Sequence, residues 1–400
     1  MHPSQDLYCV KSEKLKGKRI VLGVTGSIAA CETIKLAREL IRQGADVIPV
    51  MSEKAQKILH PNALEFATGN KPITELTGRA EHVSLCGEKK EKADLLLIAP
   101  ATANTISKIA LGIDDTPVTT FATTAIGSRI PVLIVPAMHR SMYKHPQLIE
   151  NIKRCKKMGV KFIDPVIKER TAKLPEKEEI VAEVLREIGK KDLIDKKVLV
   201  IGGNTQEAID DIRFVTNRSS GKLAVELAKS AYERGAITEL WYGKSIVEPP
   251  SWIPTVGFET SADLIGLVKQ SSKFDFIVDC AAVIDYKPQR MKGKIPSDKE
   301  AITLRFERIP KIIDLIREEA KDAILVGFKA EPKDMVRRAK EKLREVGMDF
   351  IVANPLSAFG SDETEIKIID REGNIRKAKA KKSVLAGFIF DVITRREKVQ

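Results

Sequence analysis

From Lys18 onward the chain alternates short unbroken apolar runs with longer stretches in which apolar residues return every three or four positions. KRIVLGVTG is such a run, SIAACETIKLARELIRQG is such a stretch with Gly44 as its stop, and ADVIPVM is the next run. Short apolar runs bounded by turn residues predict strands buried on both faces, and the helical period between them predicts amphipathic helices. ADLLLIAP and IPVLIVPA continue the alternation, and EKEEIVAEVLREIG predicts a helix that closes this half. The pattern predicts a doubly wound parallel sheet.

The charged stretch KKDLIDKK reads as a linker, after which the pattern starts again. KKVLVIGGNTQE predicts a strand with a glycine-rich end and SSGKLAVELAKSAYERGA an amphipathic helix. ITELWYG, FDFIVDCAAV, AILVGFKAE and DFIVAN predict further buried strands, EIKIID-REGN-IRKAKA an edge hairpin, and SVLAGFIFDVITRRE a terminal helix. HVSL, after His82, reads as β-like. The expected organisation is α/β throughout, with an extension over 1–17, a Rossmann-like domain over 18–190, a linker over 191–196 and a second Rossmann-like domain over 197–400.

With 43% hydrophobic residues the chain has enough apolar material for two full cores. No apolar run reaches membrane-spanning length, and MHPSQDLYCVKSEKLKGKR lacks the apolar centre of a signal peptide, which predicts a soluble, cytoplasmic protein with no membrane partner. The five cysteines show no paired spacing, so neither a disulfide frame nor a zinc site is expected. A net charge of +13 suits nucleic acid, an acidic membrane surface or small phosphorylated ligands. Basic residues mostly alternate with Glu, however, and at 5% aromatic content there are few platforms for stacking bases, so no nucleic-acid partner is expected.

Ligands of a doubly wound sheet sit beyond the carboxyl ends of its strands, which in the first half end in VTGS, VMSEK, APATAN and VPAMHR. Gly26 and Ser27 stand where the first strand turns into its helix, where backbone N–H groups and the helix dipole favour an anion. The spacing is not GxGxxG, and Ser52 rather than an acid follows the second strand, so a mononucleotide such as FMN suits the site better than NAD. Thr102, Asn104 and Thr105 are candidates to hydrogen-bond a flavin ring or its ribityl chain. Each turn taken singly also reads as ordinary helix capping, and Met138 and Met142 as gap filling.

GSIAA, the histidine of AEHVSL, PATANTISKIALGIDD and VPAMHRSM together resemble, in order and spacing, the flavin-dependent phosphopantothenoylcysteine decarboxylase family over most of 18–190. The resemblance implies a flavodoxin-like fold with FMN held by Gly26, Ser27, Ile28, Ser52, Thr102, Asn104, Thr105 and Met138. It implies oxidation of the substrate's cysteinyl thiol to a thioaldehyde, after which the carboxylate leaves, with His82 as the catalytic histidine that handles the thiol proton. In two places this chain departs from the family. His139 stands where the family has the asparagine that holds the substrate carboxylate, and Tyr143 stands at its tryptophan. The lid of the bacterial members carries a cysteine that protonates the enethiol intermediate, and the corresponding stretch between DPVIKER and PEKEEI has none; either another acid, His139 or Lys173, does this job, or this half decarboxylates by a modified route, or it is an impaired or regulatory flavin-binding partner of a monofunctional ligase.

In the second half, IGGNTQEAIDDIRFVTNRSSGKLA gathers donors suited to phosphate and carboxylate oxygens and resembles the phosphopantothenate-cysteine ligase signature. CAAVIDYKP, MKGKIPS, IPKIID, GFKAE and AKEKLREVGMDFIVAN extend the likeness over nearly all of 197–360. It implies a nucleotide-binding ligase domain in which the carboxylate of 4'-phosphopantothenate attacks the α-phosphate of CTP, and cysteine's amine then displaces CMP, with Mg²⁺ or Mn²⁺ present. By the same resemblance Asn217 holds the acyl-cytidylate and Arg213 orients it, while Ala281, Ala282, Asp285, Lys294, Pro310, Lys311, Ile312, Ile313, Phe328 and Lys342 bind CTP. Asn204 replaces a usual glycine, and the expectation is that it does so by tolerating a left-handed backbone. Trimeric decarboxylase domains and dimeric ligase domains, hence a homo-oligomer, complete what the resemblance implies.

Overall fold

A computed structural model describes residues 2–168, 171–296, 298, 300–330, 334–355 and 361–397. The chain divides into two compact units, Met1–Lys190 and Lys191–Gln400. Among the described residues no helix is long and apolar enough to cross a membrane.

In the first unit the strands are β1 (Arg19–Val24), β2 (Asp46–Met51), β3 (Leu95–Ala101), β4 (Val132–Pro136), β5 (Met138–His139), β6 (Lys161–Phe162), β7 (Val166–Lys168) and β8 (Thr171–Lys173). The parallel sheet runs β2-β1-β3-β4-β6, so the strand order reverses between β1 and β3. Alternation sorts its side chains. Leu95 and Leu97 pack with the helices Thr33–Arg42 and Lys177–Ile188, while Leu96 and Ile98 pack with Phe121 and Ile106 on the other face. β5, β8 and β7 form a separate small antiparallel sheet.

Residues before β1 belong to this unit's core rather than trailing from it. Leu15 is fully buried, and the N–H groups of Cys9, Lys11, Ser12 and Leu15 donate to the carbonyls of Ile41, Arg42 and Gln43. The carbonyls of Arg42 and Gln43 are among those that the end of a helix leaves without intrahelical partners. Lys11 pairs at 2.6 Å with the buried Glu39, which also meets Arg42 at 3.3 Å.

The second unit contributes β9 (Lys197–Gly202), β10 (Gln206–Ala208), β11 (Phe214–Thr216), β12 (Ile237–Gly243), β13 (Thr255–Phe258), β14 (Phe276–Asp279), β15 (Tyr286–Pro288), β16 (Phe306–Arg308), β17 (Ile324–Ala330), β18 (Phe350–Asn354), β19 (Glu363–Asp370) and β20 (Ile375–Lys381). Its large sheet runs β13-β12-β9-β14-β17-β18-β19-β20, parallel up to β18 and antiparallel for the hairpin at the edge. Here the order reverses between β9 and β14. Helices Lys222–Glu233 and Lys382–Glu397 cover one face, and Ser261–Val268, Ile312–Glu319 and Met335–Val346 the other. The pairs β10–β11 and β15–β16 stand outside it as two small sheets.

Both doubly wound sheets match the expected architecture. The stretch after His82 does not: Glu81–Cys86 is a helix, because Cys86 and Leu85 on one side of a short helix turn into the core beside Phe121. The burial of Leu15 generates a test. Leu15→Ala is expected to destabilise the first unit by about 2–5 kcal/mol, seen as an earlier transition in scanning calorimetry.

Candidate active sites

At the first reversal the hydroxyl of the buried Thr25 joins the two sides. It donates to Pro100 O at 2.8 Å and accepts from Thr102 N at 3.0 Å. Ser52 N donates to Val24 O at 3.0 Å and Ala137 N to Ala101 O at 3.0 Å, so the loops after β1, β2, β3 and β4 form one rim. Gly26 lets two of them close up, since a Cβ there would stand 2.5 Å from Lys54 Cβ. The expected residues Gly26, Ser27, Ile28, Ser52, Thr102, Asn104 and Thr105 all lie on this rim, and Met138 is buried just behind it.

Ser27, Ser52 and Thr102 each cap the helix that follows them, accepting from Ala29 N, Ala55 N and Thr105 N. Gly26 N–H has no acceptor among the described residues, and Ile28 stands 78% exposed at the lip. An open N–H at a helix start with a bare apolar side chain beside it fits a ligand that is anionic at one end and flat and apolar at the other, as FMN is.

The histidines separate by what they do. His2, His60, His139 and His145 each precede a helix and accept at Nδ1 from the N–H two residues on, the job usually given to Asn, Asp, Ser or Thr. His139 Nδ1 also meets Ser141 Oγ at 2.8 Å. His82 caps nothing. Its Nδ1 is buried with no hydrogen-bond partner, and its ring stands edge-on to Phe121 at 6.4 Å. A buried polar atom left open is uncommon enough to need a reason.

The stretch expected as a lid is the hairpin β7–β8, and it pairs with β5 so that Thr171 faces His139 and Ala172 faces Met138. His139 and Lys173 therefore lie on adjoining strands. Tyr143 reaches Asp164 with its hydroxyl at 3.4 Å, tying the loop after β4 to the base of the hairpin. Cys155 is no substitute for a lid cysteine: it is buried under Ile106 O, and burial pushes its thiol up to about 11.

At the second reversal another threonine does what Thr25 does. Thr205 is fully buried; its Oγ1 accepts from Ile284 N at 3.2 Å, and its N–H donates to Ala282 O at 3.4 Å. Asn204 does not adopt a left-handed backbone; the positive φ, +81°, belongs to Gly203. Asn204 continues the strand, bridging to Ala282 and Lys244, and its amide donates to Ser219 O at 2.7 Å. It is there for its side chain, which ties the β9 loop to the SSGK loop.

A cavity of about 160 Å³ opens beside this knot, lined by residues that include Ser219, Lys222, Ala281, Ala282, Phe328 and Asn354. Gly221 admits the close turn above it, since a Cβ would stand 1.9 Å from the Tyr242 hydroxyl oxygen. Asn217 Nδ2 donates to Ala282 O at 2.9 Å. Arg213 is held by Asp210, whose buried carboxylate accepts from Ile212 N, Arg213 N, Ile295 N and Arg213 Nη1 at 2.6–3.0 Å. The bond from Ile295 N, and then those from Arg213 and Ile212, hold the Asp210 carboxyl down at about 2.

The other expected nucleotide residues are more scattered. Lys294 is exposed next to Ile295, and Asp285 pairs with Lys311 at the start of helix Ile312–Glu319. Pro310 is exposed, Ile313 half-buried and Ile312 a core residue. Lys342 lies 3.3 Å from both Asp314 and Glu345, so this ammonium already has acidic partners. Sequence reading passed over Thr25, Thr205, Asp210 and Asp279. Burial pushes the carboxyl of Asp279, at the end of β14, up to about 7.

Residues 9–189 match the Flavoprotein family, and residues 193–396 match the family described as DNA/pantothenate metabolism flavoprotein C-terminal domain. The chain is 46% identical over 401 residues to the coenzyme A biosynthesis bifunctional protein CoaBC of Thermococcus kodakarensis, covering 98% of this chain and 99% of that one. It is 39% identical over 382 residues to the protein of the same name from Methanocaldococcus jannaschii, covering 93% and 92%. A solved structure of the C-terminal domain of a coenzyme A biosynthesis bifunctional protein CoaBC aligns with a TM-score of 0.47 at 28% identity, covering 53% of this chain and 100% of that one.

Asp210 supplies the test of this geometry. A carboxyl held near 2 stabilises the fold at any pH above its unfolded value of about 3.9, and that stabilisation is lost as pH falls through about 2. Amide exchange at Ile212, Arg213 and Ile295 is expected to stay slow down to about pH 4 in the natural chain. In Asp210→Asn it is expected to be fast already at neutral pH.

Proposed function

Because the chain belongs to the family of coenzyme A biosynthesis bifunctional proteins, with decarboxylase and ligase in one polypeptide, we propose the following division of labour. The C-terminal unit joins 4'-phosphopantothenate to cysteine with CTP, and the N-terminal unit decarboxylates the product to 4'-phosphopantetheine with FMN. The observation that carries this reading is that each unit has its own crevice at a strand-order reversal, knotted by a buried threonine and rimmed with N–H and hydroxyl donors.

In the ligase unit the substrate carboxylate forms a bond to the α-phosphorus of CTP as the bond to the bridging oxygen breaks, and pyrophosphate leaves with the electron pair. Asn217, fixed against Ala282, holds the acyl-cytidylate, and Arg213, fixed by Asp210, orients it. The cysteine amine then attacks the acyl carbon and CMP departs. Ala281, Ala282 and Phe328 wall the nucleotide pocket. Mg²⁺ or Mn²⁺ arrives as the counter-ion of the CTP phosphates. Phe214, Tyr286 and Phe306 stand exposed on the two small sheets and Ile212 in the loop between β10 and β11, which supports pairing of ligase units through them.

In the decarboxylase unit Gly26, Ser27, Ile28, Ser52, Thr102, Asn104, Thr105 and Met138 are the residues to hold FMN. When bound, FMN supplies the two-electron oxidation of the substrate thiol that lets its carboxylate leave. His82 takes the thiol proton on an imidazole nitrogen that no protein group occupies. His139 caps its helix through Nδ1, as an asparagine would through its oxygen, and offers Nε2 to the substrate carboxylate. With Lys173 on the adjoining strand, it replaces the lid cysteine as a source of the returning proton.

Purified protein given phosphopantothenate, cysteine, CTP and Mg²⁺ is expected to release both CMP and CO₂, followed separately. CMP without CO₂ overturns the decarboxylase half of the reading and leaves a ligase with a flavin-binding partner domain. His82→Gln is expected to lower CO₂ release about 10²–10⁴-fold with CMP formation unchanged. His139→Asn is expected to retain decarboxylation, because it keeps the cap and a donor, and His139→Ala to lose most of it.

A further inference from the structure

The reaction scheme above leaves a titratable group of the ligase crevice without a task. Asp279 ends β14, and β14 borders the strand-order reversal, so its carboxyl end opens on the crevice. In the register Asp279 lies between Ile201 of β9 and Gly327 of β17. Its side chain continues the row of Ile277, on the sheet face that helix Ile312–Glu319 covers. Gly327 adds no side chain to that row; a Cβ there would stand 2.4 Å from Met348 Sδ and 3.7 Å from Ile313 Cδ1. Beside Asp279 on this face are therefore Ile201, Ile277 and, across Gly327, Ile313 and Met348, all apolar. The carboxylate accepts from Ala281 N at 3.2 Å, which bends it forward over the strand end, and the residue stays only half-buried there. Desolvation by these surroundings pushes the carboxyl up to about 7, against the pull of that hydrogen bond.

The residues around it are those expected to bind the nucleotide. Ala281 donates to it, Ile313 stands across Gly327, and Phe328 follows Gly327. A carboxylate in that company repels phosphate oxygens and suits the other end of a nucleotide, the base. We propose that Asp279 is a specificity-determining residue of the ligase, its carboxylate accepting a hydrogen bond from the exocyclic amino group of cytosine. The inference rests on the ligase reading and deepens it by giving the choice of nucleotide a residue. An ionised carboxylate can only accept. Cytosine and adenine carry an amino group where uracil and guanine carry an oxygen, and a carboxylate is the side chain that pairs with the cytosine amino group. Asp279 thus sorts bases by amino against oxo and does not separate cytosine from adenine. A site built around such a pair rejects the base that offers an acceptor instead, because two acceptors then face each other out of water.

The test uses the full chain and compares kcat/KM for CTP and UTP, read as CMP and UMP release at about pH 8.5, where the carboxyl is ionised. Asp279→Asn keeps the shape and offers an N–H to the uracil oxygen. It is expected to lower the ratio of CTP to UTP about tenfold or more, with the KM for phosphopantothenate and for cysteine unchanged. If Asp279→Asn does not fold, the natural chain carries the test: a CTP analogue with hydrogen in place of the amino group is expected to lose about tenfold or more in kcat/KM, and an analogue as good as CTP overturns the proposal. An unchanged ratio in folded Asp279→Asn also overturns it. So does a raised KM for cysteine with the ratio unchanged, which assigns the carboxylate to that substrate's amine instead. A natural chain that forms no CMP sinks the ligase reading and this proposal with it; CMP formation with a nucleotide preference indifferent to Asp279 sinks only the proposal.

Discussion

Where a parallel sheet reverses its strand order, two neighbouring loops leave in opposite directions and their backbone polar groups lose the ladder that satisfied them. Buried N–H and C=O groups cannot stay unpaired. In each unit one threonine hydroxyl resolves this, donating to Pro100 O and accepting from Thr102 N in the first, accepting from Ile284 N in the second. A hydroxyl can do both at once, and a β-branched side chain has little rotamer freedom to lose when buried. Everything that qualifies as a site hangs on these two knots. The flavin rim is set by the loops that Thr25 ties, and the ligase pocket opens next to Thr205, where Asn204 and Asn217 add the ties to Ser219 and Ala282.

The architecture was legible because the apolar runs that form β1 to β4 and β9, β12, β14, β17 and β18 are largely buried on both faces, which leaves a signal at most positions rather than at alternate ones. Short elements were not. Glu81–Cys86 is six residues with a β-branched centre, and its helical form goes with the packing of Leu85 and Cys86 into the core beside Phe121, which the local sequence does not announce. The small sheet β5-β8-β7 depends on a pairing between His139 and Thr171, far apart in the chain, which no local pattern announces. For the sites, glycines and capping hydroxyls were visible, since turns need them at fixed places. Asp210 was not, because its importance lies in receiving N–H groups from two separate segments, and a carboxylate in a loop ordinarily reads as solvated. Asn204 shows the reverse error: its residue type suggested a backbone role, and its amide carries the function.

The two crevices differ in electrostatics more than in topology. On the first rim the named donors are hydroxyls, amides and backbone N–H groups, with no formal charge among them. In the second, among the described residues, the cavity's charged lining is Lys222 and Lys382. Shape and neutral hydrogen bonds suit a ligand that stays bound, while positive charge suits a phosphorylated one. The chain's net charge of +13 says nothing of this distribution.

The histidines carry the same lesson to single residues. Four of the five are spent on helix caps, an unusual substitute for Asn or Ser, and a capped Nδ1 fixes which nitrogen remains for other work. For His139 the cap engages Nδ1 and leaves Nε2 as the ring nitrogen open to a ligand. His82 has neither a cap to serve nor a partner for its buried nitrogen. Such an open group is uncommon in a folded chain and needs a reason beyond packing.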